Sequence, residues 1–256
     1  GVAIKGALEK AGIAPDQVDY VIMGQVIQAG AGQITARQAA FNAGIPMDVP
    51  ATTINKVCLS GLNAIYLADL MIQAGEADIV VAGGMESMTN APYLLPGARG
   101  GYRIGDQKVV DSMMYDGLFC AFDQVAMGAG TEKYAASAGI ERAPQDELSA
   151  QSHQRAAAAA KNGLFDNEIV DVEVPQRKGD PVVVDSDEGI RADTTAEGLA
   201  RLRPAFSVPE VCRCETCTGT PDASLGRRCS ATRPATTSAG TDSMQSSSTC
   251  RADRSS

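Results

Sequence analysis

One cysteine, Cys58, stands where a protein can turn a thiol into a nucleophile. The β-branched run at residues 51–57 (ATTINKV) predicts a strand, and the apolar periodicity of residues 59–74 predicts a helix directly after it. Cys58 is therefore expected at a helix N-terminus, where the helix dipole and free N–H groups stabilise a thiolate and can bind an oxyanion. Such a turn resembles a nucleophile elbow. The alternative is a small cysteine that packs in the core like alanine.

The elements around Cys58 predict an α/β architecture. The helix after the cysteine carries its larger apolar side chains on one face, at Leu62, Ile65, Tyr66 and Leu70, and Gly75 ends it. Residues 78–82 (DIVVA) predict a buried strand. A strand, a helix and a second strand in succession form a βαβ unit, which requires parallel strands covered by helices.

Other segments extend this pattern in both directions. We predict helices at residues 2–11 and 35–42, a strand within residues 18–27, and strands at residues 169–174 and 182–184. A long helix is predicted over residues 144–161, with Pro144 in its first position and a stop at Asn162 and Gly163. Residues between the second predicted βαβ strand and this helix are rich in loops.

Two sequence blocks resemble the thiolase family, which comprises acetyl-CoA acetyltransferases and 3-ketoacyl-CoA thiolases. They are residues 55–62 (NKVCLSGL), around Cys58, and residues 81–89 (VAGGMESMT), which follow the second βαβ strand. Shorter matches lie at residues 126–128, 152–155, 168–170, 177–180 and 201–206. The resemblance covers residues 1–206, and the short-chain acetoacetyl-CoA type is the most similar.

This resemblance implies a layered αβαβα fold, of which the chain has the N-terminal half. Residues 1–90 are then the N-terminal α/β core, lacking its start, and residues 91–206 are a loop domain that covers coenzyme A. Residues 207–256 are expected to be a disordered tail. In intact family members this half is joined to a second half, and homo-oligomers are expected.

In thiolases the first block carries the cysteine that accepts the acyl group, so the resemblance implies that Cys58 forms the thioester. The enolate of a second acetyl-CoA then attacks it, and thiolytic cleavage is the reverse. Coenzyme A thioesters are substrates, and no other cofactor is expected. The family's histidine and second catalytic cysteine lie on later motifs that this sequence does not contain.

Three further residues are substrate-binding candidates by the same resemblance. His153 lies on a helix that touches coenzyme A in the family, and the alternative is a solvated helix residue. Arg191 matches a position near the nucleotide, where a guanidinium suits phosphate or adenine. Met127 matches the acyl pocket, although a methionine there could simply pack. Cys120 is expected to be structural.

Composition excludes two classes of protein. The 256 residues carry 22 basic and 31 acidic side chains, a net charge of −9, which argues against a nucleic-acid partner. No apolar run approaches the roughly 18 residues of a membrane-spanning helix. The two thiols before residue 207, with no signal-like segment at a start that looks trimmed, favour a cytoplasmic protein.

The segment after Phe206 differs from the rest in kind. Residues 207–256 hold five of the seven cysteines, no aromatic residue, and only Val208, Val211 and Leu225 as branched aliphatics. So few apolar side chains cannot offset the entropy of ordering, which predicts disorder. The cysteine spacing fits zinc poorly, so no metal is expected. The composition is typical of a message translated out of frame.

These observations leave three functional hypotheses. The first is an acetyl-CoA acetyltransferase that works through Cys58. The second is an inactive, truncated remnant that keeps only partial coenzyme A contacts, favoured by the absent catalytic histidine and cysteine. The third is a ketoacyl-synthase-like condensing enzyme, disfavoured by the two sequence blocks around Cys58 and Glu86.

Overall fold

The computed structural model describes residues 1–206, which form six α-helices and nine strands, with two short 3₁₀ helices and one π-helix between them. The helices are α1 (Val2–Ala11), α2 (Thr35–Asn42), α3 (Ser60–Gln73), α4 (Met127–Ser137), α5 (Arg142–Lys161) and α6 (Ala196–Ala200). The strands are β1 (Tyr20–Gly24), β2 (Ala51–Ile54), β3 (Val80–Gly84), β4 (Tyr93–Leu94), β5 (Val110–Asp111), β6 (Phe119–Cys120), β7 (Val125–Ala126), β8 (Val172–Val174) and β9 (Val182–Val184). The predictions for residues 207–256, including disorder and the lack of zinc, lie outside the described residues.

A three-stranded parallel sheet organises the first part of the chain, in the order β2-β1-β3. The parallel pairing was predicted, but the βαβ unit around Cys58 does not pair its own two strands. β1 lies between β2 and β3, so the connection through α3 crosses over the central strand. The side chains of β1 consequently face helices on both sides of the sheet.

Alternation along β1 divides the core into two layers. Val21 and Met23 pack with α1 and α2, whose contributions are Ile4, Leu8 and four alanines of or next to α2. Ile22, on the opposite face, packs with Ala64 and Ala68 of α3. The arrangement is a helix–sheet–helix sandwich, in which successive residues of a strand point to opposite layers.

Helix α3 packs on the sheet through its small residues, which differs from the simplest expectation for an amphipathic helix. Ser60, Ala64 and Ala68 are buried, and Leu67 and Met71 are half-buried against the same cluster, whereas the other large apolar side chains of the helix face away from the sheet. Leu62, Ile65 and Tyr66 are each more than half exposed, and Leu70 is 41% exposed. Small residues bring the helix backbone close to the strands, so the helix has two apolar faces and only one of them contacts the sheet.

The remaining described residues form short hairpins and three helices. β4 pairs with β5, β6 with β7, and β8 with β9, all antiparallel. Helix α5 begins at Arg142, so Pro144 occupies its third position and not the first, and helix α4 was not predicted. Arg142 joins α5 to α6, since its side chain bonds Asp146 at 2.7 Å and the Leu199 carbonyl at 2.6 Å.

Lys10 of α1 connects the sandwich to the later part of the chain. Its ammonium donates to the carbonyl oxygens of Asn167 and Ile169 at 2.8 and 2.9 Å. Gly6 of α1 lies directly against the side chain of Val170, with no room for a Cβ. Among residues 1–206, no helix is both long and apolar enough to cross a membrane.

Candidate active site

The turn between β2 and α3 presents Cys58, and it is longer than the sequence pattern predicted. The strand ends at Ile54 and the helix begins at Ser60, so five residues separate the two elements. The sequence prediction continued the strand through Val57 because a β-branched residue has a high propensity for strands. The strand stops earlier because the Asn55 side chain accepts the Val57 N–H at 2.9 Å, a local turn that competes with strand pairing.

Val57, immediately before Cys58, adopts a left-handed backbone conformation with φ of 50°. This conformation is a genuine outlier for a β-branched residue, and strain of this kind costs about 1–3 kcal/mol. Ser60 holds the turn from the helix side. Its hydroxyl donates to the Val57 carbonyl at 2.6 Å and accepts the Lys56 N–H at 2.8 Å.

Cys58 itself is an exposed free thiol, which rules out the alternative of a cysteine packed in the core. It precedes the first helical residue, Ser60, by two positions, so it lies just ahead of the positive end of the helix dipole. The N–H groups of Leu59 and Ser60 already donate to the carbonyls of Lys56 and Val57. These two donors are therefore occupied within the turn and are not free for an oxyanion.

Close backbone packing fixes the first turn of α3 against the ends of two strands. A Cβ on Gly24, the last residue of β1, would lie 2.6 Å from the Ser60 Cβ and 2.8 Å from the Gly61 nitrogen. A Cβ on Gly84, the last residue of β3, would lie 3.3 Å from the Gly24 carbonyl oxygen. Only glycine fits at Gly24, because the helix backbone occupies the space of a side chain.

Glu86, in the second sequence block, ties the loops that follow β1 and β3 together. Its carboxylate accepts the N–H groups of Val26 and Ile27 at 2.8 and 3.2 Å. Asn55 adds a second tie, since its side-chain amide donates to the Val26 carbonyl at 3.2 Å. The loops at the carboxyl ends of all three parallel strands are thus hydrogen-bonded around the turn that carries Cys58.

Two of the predicted substrate-binding residues lie together in the structure. The Arg191 backbone N–H donates to Nδ1 of His153, on α5, at 3.2 Å. Gln154 on the same helix donates to the Thr194 carbonyl at 3.2 Å, so the segment around Arg191 is held against α5 at two points. Nδ1 accepts this hydrogen bond, and Nε2 makes no hydrogen bond within residues 1–206.

Met127 and Cys120 lie in another part of the described chain. Met127 is the first residue of α4 and is 52% exposed. Its neighbour Gly128 lies directly against the aromatic ring of Phe206. Cys120 ends β6 as a half-buried free thiol, and its sulfur accepts the Asp123 N–H at 3.4 Å.

Sequence reasoning missed the residues that hold the turn: Asn55, Ser60, Glu86 and Gly24. Asn55 gave a usable signal, because asparagine commonly accepts a backbone N–H two residues later. Gly83 and Gly84 gave another, since glycine at a strand end marks close backbone approach. Within residues 1–206, no group of three or more His, Cys, Asp or Glu side chains is arranged to hold a metal ion.

The fold and the cysteine turn define an α/β chain with a helix-start thiol, and comparison with known proteins gives its family. The family model described as "Thiolase, N-terminal domain" matches residues 1–220. The chain belongs to the thiolase family. The resemblance inferred from residues 55–62 and 81–89 is confirmed, and the ketoacyl-synthase alternative is set aside.

Among curated relatives, the probable acetyl-CoA acetyltransferase of Mycolicibacterium smegmatis is 59% identical over 205 residues, which are 80% of this chain and 53% of that protein. The acetyl-CoA acetyltransferase of Cupriavidus necator is 55% identical over 205 residues, 80% of this chain and 52% of that protein. The chain spans about half the length of the curated relatives it matches.

A solved structure supports the same fold. The crystal structure of the Bacillus anthracis acetyl-CoA acetyltransferase superimposes with a TM-score of 0.76 at 39% sequence identity, and the match covers 80% of this chain and 52% of that one. The predicted fold class, the N-terminal half of a thiolase-like fold, is confirmed.

Proposed function

We propose that this chain is the acyl-accepting half of an acetyl-CoA acetyltransferase and that Cys58 is its nucleophile. The observation that carries the proposal is an exposed Cys58 in a strained, hydrogen-bonded turn ahead of α3, in a chain of the thiolase family. The relatives named above are acetyl-CoA acetyltransferases, which favours an acetyl group over longer acyl chains.

The proposed first step is transfer of the acetyl group from acetyl-CoA to Cys58. The thiolate attacks the thioester carbonyl, a new carbon–sulfur bond forms, and the bond to the coenzyme sulfur breaks. The coenzyme leaves as a thiolate and takes up the proton that Cys58 released. A thiolate suits this exchange because it is a strong nucleophile at neutral pH and one thioester replaces another.

The second step, attack of an acetyl-CoA enolate on acetyl-Cys58, needs a base that removes the α proton. A positioned acid–base group contributes about 10²–10⁴-fold to such a reaction. The sequence has one histidine, His153, whose Nδ1 is bonded to the Arg191 N–H. This observation favours the second candidate function, in which the 256 residues alone are acylated but do not complete condensation or cleavage.

Coenzyme A contacts are proposed at His153, Arg191 and Met127. Nε2 of His153 has no hydrogen-bond partner among the described residues, and Arg191 is exposed and its guanidinium is suited to phosphate or adenine. Coenzyme A thioesters are the proposed substrates, with no other cofactor and no metal. We place the reaction in the lipid metabolism of the cytoplasm, since Cys58 and Cys120 are both free thiols.

The test is mass spectrometry of the purified chain after incubation with acetyl-CoA. We expect one acetyl group on Cys58 and none after Cys58→Ser, with Cys120→Ser as the matched control that keeps acetylation. Acetyl-CoA that leaves Cys58 unmodified would overturn the proposal. Acetoacetyl-CoA cleavage is measured in parallel, and robust turnover dependent on Cys58 would exclude the second candidate function.

A further inference from the structure

The conformation of Val57 is the least favourable backbone geometry near Cys58, and it is held by side chains. Its φ of 50° lies in the left-handed region, which glycine adopts readily and valine does not. The chain uses valine at this position, so the backbone by itself does not maintain the turn. The surrounding hydrogen bonds therefore determine whether the turn persists.

Both backbone polar groups of Val57 are bonded to side chains. The N–H donates to Asn55 Oδ1 at 2.9 Å, and the carbonyl accepts the Ser60 hydroxyl at 2.6 Å. The Ser60 N–H donates to the same carbonyl at 3.0 Å. The N–H of Val57 is thus fixed by Asn55 at the end of β2, and its carbonyl is fixed by Ser60 at the start of α3.

Asn55 and Ser60, which together clamp Val57, are themselves held in place. Ser60 is 4% exposed, and its hydroxyl makes two hydrogen bonds. It accepts the Lys56 N–H and donates its single proton to the Val57 carbonyl. Asn55 donates to the Val26 carbonyl, in the loop that Glu86 holds in place. The clamp is therefore continuous with the rigid carboxyl ends of the sheet.

We propose that Asn55 and Ser60 are positioning residues that hold Val57 in its left-handed conformation and thereby keep Cys58 exposed ahead of the first turn of α3. Both side chains bond backbone groups of the turn at Lys56 and Val57. For acyl transfer this inference rests on the proposed function, whereas for the reactivity of the Cys58 thiol it does not.

The test is a double-mutant cycle between Ser60→Ala and Val57→Gly, read as the rate of Cys58 alkylation by iodoacetamide. The Ser60→Ala change is expected to slow alkylation of Cys58 about tenfold, because valine relaxes out of the strained turn. Glycine needs no clamp to adopt this conformation. Val57→Gly should therefore accelerate alkylation in the Ser60→Ala background about tenfold more than it does in the wild-type background.

Cys120, measured in the same peptide digest, reports on general unfolding, and its rate should not change. A Ser60→Ala chain that alkylates like wild type, or a cycle in which the two changes act independently, would overturn the inference. Because Asn55 is exposed, Asn55→Ala with and without Val57→Gly repeats the cycle should Ser60→Ala fail to fold.

Acetylation by acetyl-CoA is measured on the same four chains. If Cys58 is never acetylated but glycine rescues alkylation, the proposed function fails and the positioning role stands. If wild-type Cys58 is acetylated and glycine rescues nothing, the positioning role fails and the proposed function stands.

Discussion

Valine is an unfavourable residue for a left-handed turn, and its presence at position 57 makes the surroundings of Cys58 depend on neighbouring side chains. The two described thiols differ in this respect. Cys58 is exposed beside the strained residue and ahead of α3, whereas Cys120 is half-buried in a short hairpin. Of these two, only Cys58 combines solvent access with a position just ahead of a helix start.

We therefore expect Cys58 to be alkylated by iodoacetamide about tenfold faster than Cys120 at neutral pH, a difference of about 1.4 kcal/mol in activation free energy. Peptide mapping by mass spectrometry after short exposures measures both rates in one sample. Equal or faster labelling of Cys120 in the folded protein would contradict the activated-thiol interpretation.

Helix α3 and the ends of β1 and β3 form a close-packed junction in which Gly24, Gly61 and Gly84 lie next to one another. The Gly61 Cα lies 3.7 Å from where a Gly84 Cβ would be, and the Gly83 carbonyl oxygen lies 3.9 Å from where a Gly61 Cβ would be. These close backbone contacts place the start of α3, and with it the turn that carries Cys58, at the carboxyl ends of the strands.

Gly24→Ala should displace this helix start, because its Cβ has no space. We expect a loss of about 1–3 kcal/mol in the free energy of unfolding and slower alkylation of Cys58. Gly100→Ala is the matched control, since a Cβ there meets nothing within 4 Å. Urea unfolding measures both chains, and equal stabilities of the two variants would contradict the packing argument.

At the amino-terminal end of the same sheet, one carboxylate links the segments that precede β1 and β3. Asp19, just before β1, accepts the N–H groups of Ile79 and Asp78 at 2.9 and 2.8 Å. These hydrogen bonds, with that from Ile79 the stronger influence, hold the pKa of the Asp19 carboxyl below its usual value. A lowered folded pKa stabilises the fold above the unfolded pKa of about 3.9, and this contribution is lost as pH falls through the folded value.

Asp19→Asn should therefore destabilise the protein at neutral pH, and the difference from wild type should shrink as pH falls below about 3.9. Urea unfolding at several pH values measures the free energy of both chains. Asp16→Asn is the control, because the Asp16 side chain makes no hydrogen bond among the described residues. A difference that stays constant with pH would exclude the carboxylate as its cause.

The described chain as a whole leaves a broad apolar surface on α3 exposed. Within residues 1–206, Leu62, Ile65 and Tyr66 stay 63%, 56% and 57% exposed. Contiguous apolar surface of this kind is uncommon on monomeric proteins and drives association. We therefore expect the chain by itself to be poorly soluble, because association removes this face from water.

The purified chain is accordingly expected to self-associate, and Leu62→Glu with Ile65→Glu should shift it toward monomer. Sedimentation velocity at several concentrations measures the distribution. Leu148→Glu, which adds a charge at an exposed leucine of α5 (65% exposed), should have a smaller effect. A monodisperse monomer of the unmodified chain would show that the α3 face does not drive association.

The sequence by itself determined which elements form around the cysteine and which family the chain belongs to. Apolar periodicity and β-branched runs are local properties, so α2 was predicted at its observed bounds and α3 within a residue at each end. The blocks at residues 55–62 and 81–89 identified the family because they are short, specific and contiguous. The roles of Cys58, Met127, His153 and Arg191 in catalysis and binding stay predictions.

Only the tertiary structure decided the strand order, the inward face of α3 and the shape of the turn. The central place of β1 follows from which strands pair across long stretches of sequence, and no local pattern encodes it. Small residues, Ser60 and Gly61, begin α3 because close backbone approach at Gly24 leaves no room there for large side chains. Val57 adopts a left-handed conformation because its hydrogen bonds to Asn55 and Ser60 outweigh the preference of a β-branched residue for extended backbone.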